Sequence, residues 1–382
     1  MAGPIRQPID LDSLSKYIDK HVPDIKTPLD VKQFGYGQSN PTYLLTDSIG
    51  KKYVMRKKPP GKLLSKTAHQ VDREYRIIDA MQSTDVPVPK AMCLCEDDSI
   101  VGTSFYIMSY LDGRIFSDPA MPDVSPADRT AMWKSAVETL AKYHRTPPKS
   151  VNMESFGRPN NFYNRQLKTF ATLSLAQAET KDIETGEPVG KIPFYDDMVK
   201  FFGQKETQPQ DRGTFVHGDY KIDNVVFHKT EPYVIGVLDW EMATIGHPLS
   251  DVVNLTAPYA HAAAAENQPG DAKAMAAYRG SDAFLKGRTP GLPTRDQILE
   301  WYHAVVPWKY EPKELTWGDA FGLYRGAIIC QGIAARYAVR QASSEKAKDY
   351  GIMMGPYGEE AWESVKRYRQ QVEEEKSGKS KL

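Results

Sequence analysis

The chain has 382 residues, and its 49 basic and 49 acidic side chains leave a formal net charge of zero. This length predicts two lobes or domains rather than one simple core. The balanced charge gives no electrostatic case for a nucleic-acid partner, and no basic run interleaved with aromatic residues provides one. No stretch approaches the roughly 20 apolar residues of a membrane span, so none is expected.

The apolar pattern of the first third of the chain predicts a small sheet with one helix. Strands are expected over residues 31–36, 42–46, 53–56 and 104–110. Apolar residues recur at helical spacing over residues 66–82, which predicts a helix there. Strands, a helix and a further strand are typical of a small α+β lobe, which we place at residues 1–110.

Beyond that boundary the pattern becomes mostly helical, which predicts a larger second lobe at residues 111–382. Helices are expected over residues 163–178, 194–202, 317–340 and 359–375. A short strand-rich island over residues 214–240 interrupts them. The Ala-rich stretch 257–277 predicts a loop plus a helix, whose order the pattern does not fix.

The strand-rich island carries the residues best suited to chemistry, in the run HGDYKIDN over residues 217–224. Phosphoryl transfer to a hydroxyl requires an acidic residue to orient and deprotonate the alcohol, oxygen ligands for Mg²⁺, and a loop that holds the phosphates. Asp219 is the candidate base, and Asn224 is a candidate Mg²⁺ ligand. An apolar strand then ends in Asp239, the second Mg²⁺ ligand. The two apolar runs between Asn224 and Asp239 predict a hairpin that brings these side chains together.

A glycine-containing loop, FGYGQSN at residues 34–40, lies between two predicted strands. It is therefore neither a Walker loop nor a dinucleotide-binding fingerprint, both of which lead into a helix. Glycines at a hairpin tip let backbone N–H groups approach phosphates. Gly35, Gly37, Ser39 and Asn40 are accordingly candidate nucleotide-binding residues. A plain tight turn is the alternative reading of the loop taken by itself.

Two charged residues follow this loop in the order that kinases use. In kinases a cation on a strand contacts the nucleotide phosphates and pairs with a glutamate on the next helix. Arg56 takes the position of the usual lysine, and Glu74 lies on the predicted helix. Arginine also binds phosphate, although its planar fork has a different reach. The alternative is that Glu74 is a solvated helix residue beside Arg73 and Arg76.

The chain ends in Ser380-Lys381-Leu382, the tripeptide that the peroxisomal import receptor reads. The preceding stretch is polar, so we expect the tail to be exposed. We therefore predict a peroxisomal protein with that receptor as a partner. The alternative is a lysine-rich tail that matches by chance.

Together these motifs resemble the aminoglycoside phosphotransferase-like family of small-molecule kinases, over about residues 34–251. The run GHPLSD at 246–251 follows the metal-binding Asp in that family, although His247 stands where relatives commonly carry Asp. The sequence is still more similar to the kinase-like domain of acyl-CoA dehydrogenase family members ten and eleven. That similarity extends over nearly the whole chain and is carried by residues 34–45, 56–64, 71–76, 165–166 and 331–336.

The resemblance implies a bilobal, protein-kinase-like α+β fold with ATP in the cleft, Mg²⁺ on the two oxygen ligands named above and Asp219 as the base. It implies that Lys221 stabilises the transferring phosphoryl group. It also implies a hinge at residues 108–111, where Met108 and Tyr110 meet the adenine through backbone groups.

The resemblance also implies an acceptor. Members of the closer family phosphorylate 4-hydroxyacyl-CoA, and an attached dehydrogenase domain completes removal of the hydroxyl. This chain ends without such a domain, so we expect a stand-alone kinase, and acyl-CoA breakdown agrees with the peroxisomal tail. Two alternatives remain: a kinase of another small hydroxylated metabolite, such as an amino alcohol or a sugar, and a non-catalytic nucleotide- or CoA-binding pseudokinase. Only Arg56 in place of lysine favours the pseudokinase.

Overall fold

The computed structural model describes residues 2–35, 40–59, 70–267, 281–342 and 347–378. The strands are, in chain order, β1 Ala2–Gly3, β2 Asp30–Phe34, β3 Thr42–Thr46, β4 Lys52–Lys57, β5 Ala91–Cys95, β6 Phe105–Ser109, β7 Thr214–Val216, β8 Val225–Phe227, β9 Val234–Val237 and β10 Thr244–Gly246. The helices are α1 Leu11–His21, α2 Val71–Met81, α3 Asp98–Val101, α4 Pro126–Arg145, α5 Phe162–Ala178, α6 Tyr195–Phe202, α7 Leu249–Asn267, α8 Arg295–His303, α9 Pro312–Ala338, α10 Ala347–Ile352 and α11 Met354–Lys376.

The first of two compact units contains an antiparallel sheet. This unit comprises Met1–Pro119, Lys134–Glu154 and His217–Ala243. Within the described residues its largest sheet has six strands in the order β1-β2-β3-β4-β6-β5. The register sets Arg56 of β4 directly opposite Tyr106 of β6. Directly opposed residues lie on the same face of a sheet, so these two side chains are neighbours.

Helix α1 is an element that the sequence analysis did not predict. It begins at the N-cap Asp10, whose carboxylate accepts a hydrogen bond from the Ser13 N–H at 2.9 Å. Leu14 and Ile18, four residues apart and therefore on one helix face, are fully buried. They belong to the hydrophobic core of the sheet together with Tyr43, Leu45, Tyr53, Phe105 and Ile107. The helix thus covers one face of the sheet.

Most of the other predicted elements are confirmed, with shifted ends. Strand β4 and helix α2 lie where they were expected, although residues 66–69 of the predicted helix fall outside the described residues. Strand β5, Ala91–Cys95, was not predicted. Within the stretch 257–277, residues 257–267 form the last part of α7, which contains Pro258 and ends at Asn267, and residues 268–277 fall outside the described residues.

The second compact unit is mainly helical, as predicted. It comprises Ala120–Trp133, Ser155–Val216 and Thr244–Leu382. Its core is aromatic: Trp317 and Phe321 of α9 stack with ring centroids 5.2 Å apart. Other rings of the same core are Phe162, Tyr163, Phe201, Phe202 and Tyr324. The expected α+β class is therefore confirmed. Among the described residues, no helix combines the length and the apolar character needed to cross a bilayer.

The predicted division of the chain at residue 110 stays a prediction. The compact units are defined by contacts, and each one is discontinuous in sequence. The catalytic candidates at residues 219–239 belong to the same unit as the N-terminal sheet.

Truncation of Ile18 tests whether α1 is part of the core. We expect Ile18→Ala to lower the free energy of unfolding by about 2–5 kcal/mol, the usual result of removing a buried isoleucine side chain. Lys16→Ala, on the exposed face of the same helix, is the matched control and should change it by no more than about 0.5 kcal/mol. Urea denaturation measures both. Equal effects for the two variants would show that α1 does not pack on the sheet.

Candidate active site

The loop that carries Asp219 is fixed by a glycine turn and a buried histidine. Gly218 has a positive φ of 84°, and a Cβ there would lie only 2.9 Å from the Met242 carbonyl oxygen. His217 is fully buried, with Nε2 2.9 Å from the Leu238 carbonyl oxygen, and Nδ1 accepts a hydrogen bond from the Asp219 N–H at 3.2 Å. The imidazole therefore joins the loop to the end of strand β9.

Asp219, Lys221 and Asn224 form one hydrogen-bonded group. The Asn224 amide Nδ2 donates to the Asp219 backbone oxygen at 2.8 Å and to Oδ2 at 3.0 Å. Lys221 Nζ lies 3.5 Å from Asp219 Oδ2 and 3.3 Å from the carboxylate of Asp223. All of these contacts to the Asp219 side chain use Oδ2. They orient the carboxylate and leave Oδ1 as the oxygen best placed to take a proton.

The hairpin of β8 and β9 brings Asp239 next to Asn224, as the sequence predicted. The two strands pair antiparallel, and the Leu238 N–H donates to the Asn224 carbonyl oxygen at 2.9 Å. Asp239 adopts a left-handed backbone conformation, with φ 65° and ψ 59°. A non-glycine residue in this region is uncommon and points to a functional constraint. The next residue, Trp240, is anchored by its indole N–H, which donates to the Val237 carbonyl oxygen at 2.9 Å.

Glu74 of α2 is almost completely buried and accepts from three side chains. Asn40 Nδ2 donates to Oε1 at 2.7 Å, and the Tyr106 hydroxyl donates to Oε2 at 2.9 Å. Arg56 Nη1 lies 3.0 Å from the same Oε2. The structure therefore forms the predicted pair between the strand cation and the helix glutamate, and the alternative of a solvated Glu74 is wrong.

Arg56 also contacts the segment that carries Asp239. Its Nη1 lies 3.3 Å from Asp239 Oδ1, and its Nη2 lies 3.8 Å from Glu241 Oε2. Nε is buried and has no hydrogen-bond partner among the described residues. One guanidinium is thus shared by three carboxylates, those of Glu74, Asp239 and Glu241.

Burial and neighbouring charges set the ionisation of these groups. Burial raises the pKa of Glu74 above its ordinary value, while Arg56 and the Tyr106 hydroxyl act in the opposite direction. Burial alone would lower the pKa of Arg56, but the nearby carboxylates, Glu74 first, raise it. Burial also acts to lower the pKa of Lys221, but Asp219 and Asp223 together outweigh it, so this pKa is raised as well. Both cations therefore stay protonated at neutral pH.

The other predicted nucleotide contacts are only partly described. Gly35 ends the described part of the glycine loop, while Gly37 and Ser39 lie outside the described residues. Asn40 is fully buried and bonded to Glu74, so its side chain supports the ion pair. Met108 is buried within β6, and the Tyr110 N–H donates to a backbone oxygen of β4 at 3.3 Å. Their roles toward a nucleotide stay predictions.

The oxygen donors of the loop and hairpin fit a hard divalent cation. Asp239 offers a carboxylate that is 39% exposed, and both hydrogen bonds of the Asn224 side chain use Nδ2, which leaves Oδ1 for a cation. Within the described ranges, no group of three or more His, Cys, Asp or Glu side chains is arranged to hold a metal ion. Mg²⁺ suits such a site, because it is usually bound through one or two protein oxygens together with substrate phosphates.

Two residues of this network were missed by the sequence analysis. Glu241 lies only two residues beyond Asp239 and was visible as an acidic neighbour of the predicted metal ligand. Tyr106 became relevant only through the register that sets it opposite Arg56, which sequence periodicity does not fix.

A loop aspartate bonded to an asparagine amide, a carboxylate at the end of a hairpin, and a strand cation paired with a helix glutamate are typical of a phosphotransferase of the kinase-like class. The family model described as the phosphotransferase enzyme family matches residues 30–292. The chain therefore belongs to this phosphotransferase family, and the resemblance drawn from the motifs is confirmed.

Individual relatives agree with this assignment. The chain is 34% identical over 362 residues to acyl-CoA dehydrogenase family member 11 of Gallus gallus, which covers 94% of this chain and 44% of that protein. The chain thus spans less than half the length of this curated relative.

Solved structures extend the comparison to the fold. A Ralstonia eutropha protein that carries the name of an aminoglycoside phosphotransferase is 34% identical, with a TM-score of 0.78 over 94% of this chain and 99% of that one. A streptomycin–ATP ternary complex of an aminoglycoside phosphotransferase matches with 14% identity and a TM-score of 0.54, over 91% of this chain and 99% of the other. The expected kinase-like fold is therefore confirmed, and fold and family support a small-molecule kinase.

Removal of the Tyr106 hydroxyl tests the buried network. We expect Tyr106→Phe to cost about 1–3 kcal/mol of unfolding free energy while Glu74 is ionised, because a buried charge loses a donor. The cost should shrink as the pH falls through the raised pKa of Glu74, since a protonated carboxyl depends less on that donor. Denaturation of the wild type and the variant at a series of pH values measures this difference in unfolding free energy.

Tyr53→Phe is the control for this experiment. The buried Tyr53 hydroxyl donates to the neutral backbone oxygen of Asp24 at 3.1 Å, so its cost should not change with pH. A Tyr106→Phe cost that is equally independent of pH would contradict the account of Glu74.

Proposed function

We propose that the protein is a Mg²⁺-dependent kinase that transfers the γ-phosphoryl group of ATP to the hydroxyl of a 4-hydroxyacyl-CoA. The observation that supports it most is the joining of Asp219, Asn224 and Asp239 by the His217 and Leu238 bonds described above. The Arg56–Glu74 pair lies in the same compact unit. This is the set of groups that phosphoryl transfer requires.

Each residue has a role in the proposed reaction. The acceptor oxygen forms a bond to the γ-phosphorus while the bond from phosphorus to the ADP oxygen breaks. Asp219 orients the acceptor hydroxyl and takes its proton. Lys221, held beside Asp219 and Asp223, neutralises charge on the transferring group. Arg56 holds the nucleotide phosphates, as the strand lysine does in other kinases.

Asn224 and Asp239 are the residues that would hold Mg²⁺. When bound, the ion neutralises the charge of the phosphate oxygens. ATP as the donor is supported by the ATP named in the streptomycin complex of a phosphotransferase with the same fold.

The acceptor class rests on the relatives. The Gallus gallus relative is named for acyl-CoA dehydrogenation, which supports an acyl-CoA acceptor over an amino alcohol or a sugar. A pseudokinase was favoured only by Arg56 in place of lysine. The contact of Arg56 with Glu74 at 3.0 Å is the pairing that an active kinase uses, so it supports catalysis instead.

Replacement of the proposed base tests the chemistry. We expect Asp219→Asn to bind ATP but to lower turnover of 4-hydroxyacyl-CoA by about 10²–10⁴, the usual contribution of a general base. Asp223→Asn is the matched control, because the Asp223 carboxylate contacts the same Lys221 while the Asn224 amide donates to Asp219 instead, and it should keep most of the activity. The rate of ADP release measures the turnover of both variants. Full activity of Asp219→Asn would remove Asp219 from the role of base.

The proposal includes a peroxisomal location, set by Ser380-Lys381-Leu382, which lies outside the described residues. We expect deletion of this tripeptide to leave kinase activity intact and to move a fluorescently tagged protein to the cytosol. Replacement of the tripeptide by Ala-Ala-Ala is the length-matched control, and it should have the same effect on activity and location as the deletion. Unchanged peroxisomal fluorescence would show that the targeting signal is not this tripeptide.

A further inference from the structure

Arg56 and a divalent cation have the same anionic partner. The guanidinium Nη1 lies 3.3 Å from Asp239 Oδ1, and Asp239 is the carboxylate that we propose as a metal ligand. Two cations at one carboxylate repel each other, and in a partly buried site water screens this repulsion only weakly. Either the metal binds weakly, or Arg56 must be able to move.

The Glu74 carboxylate and the backbone of Asp239 are each held by contacts that do not involve Arg56, so the Arg56 side chain is the group that would have to shift. The left-handed backbone of Asp239 lies between Val237 and Trp240, which are joined by the bond from the Trp240 indole to the Val237 carbonyl oxygen. Glu74 keeps the donors Asn40 and Tyr106 whatever Arg56 does.

Glu241 offers Arg56 a second position. Its Oε2 lies 3.8 Å from Nη2, just beyond hydrogen-bond range, so a shift of about 1 Å would form a charge-assisted hydrogen bond. Nη1 contacts both Glu74 and Asp239, and Nη2 is the arm near Glu241. In the exchange the planar fork would turn, so that Nη2 bonds Glu241 while Nη1 keeps Glu74 and gives up Asp239. A lysine ammonium is a point charge and has no second arm for this exchange.

The geometry points to Arg56 as an exchangeable counter-ion of Asp239, with Glu241 as the positioning residue that accepts it when a divalent cation binds to Asp239. This inference rests on the proposed metal site and adds a role for Glu241 that needs no contact between Glu241 and the metal. It also explains why an arginine suits position 56 of β4 better than a lysine.

A double-mutant cycle on Mn²⁺ binding tests the exchange. Binding to the protein without nucleotide is measured through the electron paramagnetic resonance signal of the Mn²⁺ that stays free. We expect Arg56→Met to raise Mn²⁺ affinity about tenfold, because the competing cation is gone. Glu241→Gln should lower it about tenfold in the presence of Arg56. In the Arg56→Met background, the effect of Glu241→Gln should fall to no more than about twofold.

The opposite results overturn the inference. An Arg56→Met protein with unchanged or weaker Mn²⁺ binding would show that Arg56 does not compete. An equal effect of Glu241→Gln in both backgrounds would show that Glu241 acts on the metal directly. If Arg56→Met does not fold, the double variant Arg56→Met/Glu74→Gln takes its place in the cycle, because it removes both buried charges together. Unchanged Mn²⁺ affinity of Glu241→Gln alone also overturns the inference.

Asp239→Asn separates this inference from the proposed function. It should abolish the Mn²⁺ binding of the wild-type protein. Binding that is independent of Asp239 would refute the proposed metal ligand itself, whereas binding that depends on Asp239 but not on Arg56 would refute only the exchange.

Discussion

The site depends on one buried cation, Arg56, which links the sheet, a helix and the hairpin that ends in Asp239. A buried guanidinium is stable only when carboxylates surround it, since an unpaired charge away from water is very costly. Glu74 meets this need at 3.0 Å and is itself supported by Asn40 and Tyr106. Loss of either charge would leave the other buried and unpaired, so the pair fixes both β4 and α2 at the site.

The loop and the hairpin show a second way to position reactive groups. The segments that carry Asp219 and Asp239 are held mainly by backbone geometry and by hydrogen bonds of His217 and Trp240, which take no part in the proposed reaction. His217 joins the two segments, and the positive φ of Gly218 sets the direction of the loop. Preorganised groups of this kind need not rearrange during the reaction, which is the main way in which enzymes of this class stabilise charge.

Much of this arrangement could be predicted from the sequence, because its strongest signals are local. The spacing of Asp219, Asn224 and Asp239, separated by two apolar runs, indicates a hairpin, and the structure contains it. The sequence did carry a local signal for helix α1, namely the N-cap Asp10 and the helical spacing of Leu14 and Ile18, which the prediction did not use. Tyr106 is different, because it meets Glu74 only through the register of β4 and β6. Local periodicity does not specify such pairings.

The most direct test of the central claim follows the phosphoryl group itself. ATP labelled with ¹⁸O in the γ-phosphoryl group would be incubated with purified protein, Mg²⁺ and a panel of acceptors, namely 4-hydroxyacyl-CoAs, unhydroxylated acyl-CoAs, amino alcohols and sugars. We expect a 4-hydroxyacyl-CoA product whose mass increases by one labelled phosphoryl group, with no product from the unhydroxylated acyl-CoAs. Label found only on another acceptor would contradict the proposed substrate. Bound ATP with no labelled product on any acceptor would contradict the kinase.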